Sequence, residues 1–86
     1  MEVREDLKTL LDKLATQRDE LLVQMSLAKL EAREEWERLE KEWSQIRSKL
    51  VRAAEVGGET ARELVAAAKL AGEELRRGYE RLRNSL

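Results

Sequence analysis

From residue 3 to residue 55 the chain contains neither proline nor glycine, and the first strong helix breaker comes at Val56-Gly57-Gly58-Glu59-Thr60. No other feature constrains the fold as tightly. The stretch is dominated by Ala, Leu, Glu, Arg and Lys, the residues that lose least on entering a helix. The sequence therefore predicts an all-α chain: a long helix over about 3–55, a tight turn, and a shorter antiparallel helix over about 61–85. Together these form a helical hairpin within a single domain, 1–86, assembled as a coiled-coil bundle. One continuous helix with a weak point at Gly57-Gly58 is the competing arrangement.

The apolar pattern shows which face is buried. Leu7, Leu11, Leu14, Leu21, Met25, Ala28 and Ala32 recur at spacings of three and four, a heptad seam in which Arg18 is the charged intruder. Leu10 and Leu22 widen the stripe beyond what a two-helix seam needs. The seam continues through Trp36, Leu39, Trp43, Ile46, Leu50 and Ala53. The steps from Ala28 to Ala32 to Trp36 are both fours, a stutter that locally unwinds a left-handed supercoil.

Gly57 can adopt the left-handed conformation that closes a helix, with Gly58 beside it. Thr60 and Glu63 have the spacing of a capping box. The second helix offers Ala61, Leu64, Ala68, Ala71, Leu75, Tyr79, Leu82 and Leu86 as its apolar stripe, thinned by Gly72 and Gly78. In an antiparallel register Trp43 falls opposite segment 68–72, so that Ala71 and Gly72 pack beneath it, and Trp36 lies near Tyr79.

Lengths then decide the assembly. At about 1.5 Å per residue the first helix reaches roughly 80 Å and the second roughly 40 Å. The returning arm cannot cover Leu7, Leu10, Leu11, Leu14, Leu21, Leu22 and Met25. Burial of each is worth about 1.5–3 kcal/mol, so the stripe is assigned to self-association. The simplest closed solution is a two-fold antiparallel homodimer, in which the N-terminal half of one long helix lies beside the C-terminal half and second helix of its partner. A tetramer is the competing solution.

The segment Gly58-Glu-Thr-Ala-Arg-Glu-Leu-Val-Ala-Ala-Ala-Lys-Leu-Ala-Gly-Glu-Glu-Leu-Arg-Arg-Gly-Tyr-Glu-Arg-Leu82, preceded by the Glu-rich Ala32-Arg-Glu-Glu-Trp-Glu-Arg-Leu-Glu-Lys41, resembles small bacterial coiled-coil proteins of uncharacterised function. The resemblance covers about residues 32–86. It implies a long charged helix, a glycine break and an aromatic-bearing amphipathic helix, with Tyr79 where those proteins place an aromatic. At Ala61 and Gly72 the chain departs from their pattern, which tends to carry Trp there. The resemblance implies no activity, cofactor or site.

Composition argues against catalysis. With no Cys and no His, the chain lacks the usual nucleophile, general base and metal ligands, and its hydroxyls stand in no catalytic motif. The expectation is no enzyme, cofactor or metal. Net charge is −1, from 17 basic and 18 acidic residues. Arg76, Arg77, Arg81 and Arg83 make the last helix basic near its end, which suits a helix C-terminus. Glu73, Glu74 and Glu80 offset them, which argues against nucleic acid. No apolar run approaches a membrane span and the N-terminus lacks a signal-peptide pattern, so a cytoplasmic location is expected.

The functional expectation is a structural or protein–protein interaction module that acts on itself or on an unidentified protein partner. The alternative is a peripheral amphipathic protein whose helices bind a lipid surface.

Overall fold

The long helical run breaks in the middle. The computed structural model describes the backbone from residue 3 to residue 86 and the side chains from Leu7 onward. It shows three helices, α1 (Val3–Met25), α2 (Leu30–Val56) and α3 (Gly58–Ser85). The expected single helix over 3–55 is thus corrected to two helices joined by residues 26–29.

No glycine or proline makes this break. The Leu27 N–H donates to the Gln24 carbonyl at 3.2 Å and the Ala28 N–H to the Met25 carbonyl at 3.3 Å, so the ladder tightens to shorter loops and stops. The Ser26 hydroxyl donates to the Val23 carbonyl, and the Arg33 guanidinium donates to the Ser26 carbonyl, satisfying acceptors left at the helix end. Lys29 then takes an extended conformation, φ −70° and ψ 162°, from which α2 departs. Interrupting a helix gives up a few backbone bonds, each worth about 0.5–1.5 kcal/mol net. Folding α1 back buries Leu7, Leu14, Leu21 and Met25, at about 1.5–3 kcal/mol each. Burial outweighs the lost bonds.

The second turn is a single residue. Gly57 closes α2 with φ 66°, its N–H donating to the Ala53 carbonyl at 3.2 Å, and Gly58 opens α3 at φ 63°. Two consecutive left-handed residues reverse the chain so sharply that α3 starts at Gly58 rather than near 61. The expected capping box is corrected accordingly. Gly57 holds the cap position with no side-chain cap, and Thr60 and Glu63 lie exposed in the first turns of α3.

α2 and α3 run antiparallel, α1 lies along the other side of α3, and the backbones of α1 and α2 approach one another only sparsely. The principal extents are 44 × 22 × 16 Å, about one helix long. The core joins Leu14, Leu21 and Met25 of α1 to Trp36, Leu39 and Ile46 of α2 and to Ala68, Leu75, Tyr79 and Leu82 of α3. Leu10, Leu11, Trp43, Leu50 and Ala71 pack against it half-buried, while Leu64 is half-buried nearer the glycine turn. The shielding that the sequence pattern assigns to a sister chain is supplied to Leu7, Leu14, Leu21 and Met25 within the molecule. Leu22 alone of that set stays exposed.

Trp36 and Tyr79 meet with ring centroids 6.1 Å apart, inclined at 31°. Gly72, expected beneath Trp43, instead faces α1. A Cβ there would stand 2.9 Å from Leu10 Cδ2 and 3.4 Å from Leu14 Cδ1. At Gly78 a Cβ would stand 2.6 Å from Leu39 Cδ2.

The two glycines should respond differently to alanine. Leu10 is half-buried and can swing aside, so the gain in helix propensity, about 0.5–1 kcal/mol, survives in Gly72→Ala. Leu39 is enclosed, so Gly78→Ala overpacks the core at about 1–3 kcal/mol. Thermal melts should place Gly72→Ala at or above the parent and Gly78→Ala below it. The reverse order would contradict this packing.

Candidate interaction surface

The charged intruder of the α1 seam has a specific partner. Arg18 Nε donates to Glu40 Oε1 at 2.6 Å and Arg18 Nη2 donates to Glu40 Oε2 at 2.7 Å, a two-pronged pair linking α1 to α2. Both side chains are about 30% exposed, so water screens the pair only partly. Two further ion pairs are more open: Arg38 with Glu35 within α2, and Arg83 with Glu20 at 3.9 Å between α3 and α1.

Beneath the pair, Tyr79 is 1% exposed and its hydroxyl has no hydrogen-bond partner among the described residues; Gln17 Oε1 is a second buried polar atom without one. Burial, reinforced by Glu40, pushes the Tyr79 phenol well above its ordinary value, and Arg18 opposes the shift only in part.

Large apolar side chains gather at the end of the bundle where α1 turns into α2 and α3 finishes. Leu27 is 92% exposed, Val23 77%, Leu30 71%, Leu22 50% and Leu86 49%. An open groove at this end is lined by Leu27, Ala28, Ala32, Leu82 and Leu86, with Lys29 and Arg81 balanced by Glu31 and Glu35. Its floor is continuous with the core, because Leu82 is buried and Ala28 and Ala32 pack against the core cluster. A surface that combines apolar side chains with charges of both signs is suited to another protein segment.

No protein-family model, curated protein or solved structure matches the chain. The reading therefore rests on the residues themselves.

The arginines of the last helix divide between two places. Arg76 and Arg77 border a groove between α3 and α1 together with Lys13, Lys69 and Glu73, and Arg76 and Lys13 also border an adjoining groove with Arg83, Asp12 and Glu20, while Arg81 lies at the apolar end. Among the described residues no helix is long and apolar enough to cross a membrane, and no group of three acidic, His or Cys side chains is placed to hold a metal ion. Sequence reasoning singles out Leu22 and Leu86 at the apolar end but not Val23, Leu27 and Leu30. Their signal is nonetheless present: Val23, Leu27 and Leu30 are apolar yet off the heptad seam, at spacings of four and three.

The buried phenol gives a test of this packing. A phenol whose folded pKa exceeds its unfolded value contributes stability that is complete below about pH 10 and is lost as pH rises above it. Tyr79 is the only tyrosine, so its tyrosinate absorbance is unambiguous. Ionisation should coincide with loss of helical signal above pH 10. Tyr79→Phe should remove that alkaline destabilisation and leave stability at neutral pH equal or raised by up to about 1–2 kcal/mol. Free titration near pH 10 with the fold intact would contradict the burial.

Proposed function

We propose that the chain is a protein–protein interaction module with no catalytic role, and that it self-associates as a homodimer through the apolar end of the bundle. The observation that carries this reading is the collection of exposed leucines and valine around the α1–α2 turn, continuous with a groove whose floor is the core. Isolated exposed leucines are ordinary, but several at one end of the bundle, with Leu27 and Leu86 lining a groove there, mark a contact surface. The charge at this end favours a protein over a lipid surface. Lys29 and Arg81 are offset by Glu31 and Glu35 in the same groove, so little net positive charge draws the end to anionic headgroups.

The reading makes a direct prediction. Val23→Glu with Leu27→Glu alters two side chains that are mostly in solvent, so folding should be unaffected by circular dichroism. Sedimentation equilibrium should show the dimer of the parent chain dissociating at a concentration at least about tenfold higher in the double variant, a change of about 1.4 kcal/mol. Equal association of parent and variant would refute the assignment. Co-flotation of the parent with anionic vesicles, abolished by the same substitutions, would assign the end to lipid instead.

A further inference from the structure

We infer that the homodimer forms by exchange of α1: residues 26–29 straighten, α1 and α2 become one long helix, and α1 of each copy packs against α2 and α3 of the other. This rests on the self-association proposed above and supplies its mechanism.

The contrast between the two turns carries the inference. The α2–α3 turn is built from Gly57 and Gly58, both at positive φ, a conformation that ordinary residues rarely adopt; this turn is fixed. The α1–α2 turn consists of Ser26, Leu27, Ala28 and Lys29, without glycine or proline and with no residue at positive φ. Its N-cap, Lys29, makes no side-chain capping bond. Locally, only the Ser26 hydroxyl bond to the Val23 carbonyl and the Arg33 bond to the Ser26 carbonyl hold this turn against the helix that its residues favour.

The apolar seam also runs through the turn, shifted there by the four-residue stutter. Leu21, Met25, Ala28, Ala32, Trp36 and Leu39 keep spacings of three and four, so a straightened helix would present one continuous stripe. The contacts it needs already exist within one chain: Leu10 and Leu14 against Gly72, and Arg18 against Glu40. Exchange re-forms each of them between copies, and for that reason swapping an element is a low-cost route to a dimer. It also sets two bundles end to end, with their apolar ends adjacent at the two-fold axis. The occupant of the exposed leucine surface is then the same surface on a second copy.

Two measurements decide the matter. Leu30 is the first helical residue of α2, where proline is well tolerated, and Lys29 before it already has the extended conformation that proline requires of its predecessor. Leu30→Pro is compatible with the bent turn but incompatible with a continuous helix, so it should weaken dimerisation at least about a hundredfold while leaving a folded monomer.

The second measurement leaves the hinge untouched. The chain has no cysteine, so Lys13→Cys with Arg76→Cys places two unique thiols on opposite sides of the groove between α1 and α3. Treating the isolated dimer with a short bis-maleimide should yield a covalent species of twice 10.0 kDa on a denaturing gel. A dimer whose thiols are joined within each chain, or a Leu30→Pro variant that associates like the parent, would overturn exchange and leave self-association through the apolar end standing. A parent chain monomeric at every concentration would overturn both.

Discussion

The fold depends on α3 being thin enough on two faces to receive a helix on each. Gly72 admits Leu10 and Leu14 of α1, and Gly78 admits Leu39 of α2; a Cβ at Gly78 would press on the enclosed Leu39, while one at Gly72 would meet Leu10, which can swing aside. Ala68 and Leu75, both without measurable exposure, lie on the same helix. α1 and α2 therefore share α3 more than they touch one another, and the Arg18–Glu40 pair is the specific polar tie between them. The energy is mostly area removed from water, while the ion pair fixes which residues of α1 and α2 stand opposite.

This arrangement explains why some of the structure could be read in the sequence and some could not. The approach of Trp36 to Tyr79 follows from the glycine turn, because once Gly57 and Gly58 locate the reversal, an antiparallel register has little freedom. The break at 26–29 leaves almost no local trace. Its residues are compatible with helix, and what bends them is the burial of Leu14 and Leu21 against distant elements. The stutter at Ala28 and Ala32 marks the right place, but a change of phase does not distinguish a relaxed supercoil from a turn. Likewise Arg18 is visible as an intruder, whereas Glu40 is one glutamate among many on α2. Gly72 is legible as a close-packing site, but its neighbour is α1 rather than Trp43, and nothing local shows that α1 comes back.

The candidate surface is hidden in the sequence for a related reason. When 3–55 is read as one helix, Val23, Leu27 and Leu30 fall on its outer side and look like scattered apolar residues. Bending the chain at residue 26 gathers them with Leu86 at one end. The charged residues are only partly dispersed. Of the four arginines near the end of α3, Arg76, Arg77 and Arg83 border two adjoining grooves against α1, and Arg81 lies at the apolar end. Linear proximity understates the apolar end.

In the proposed exchange, bent and straightened forms share nearly all their contacts, so the balance between them is set at the hinge and by concentration. A short flexible connection holds α1 near its own α3 at an effective concentration on the order of millimolar. With hinges energetically neutral, exchange would thus become half complete only near that concentration. Each straightened hinge regains helical hydrogen bonds at residues 26–29, at about 0.5–1.5 kcal/mol apiece, against the side-chain and guanidinium bonds that now satisfy its carbonyls. A net gain of about 1.4 kcal/mol per hinge, counted twice per dimer, brings the midpoint down about a hundredfold, to roughly ten micromolar. Adjacency of two apolar ends lowers it further. In that exchange the state of the chain is governed by a few hydrogen bonds at residues 26–29 and by the exposed side chains beside them, while the core is common to both forms.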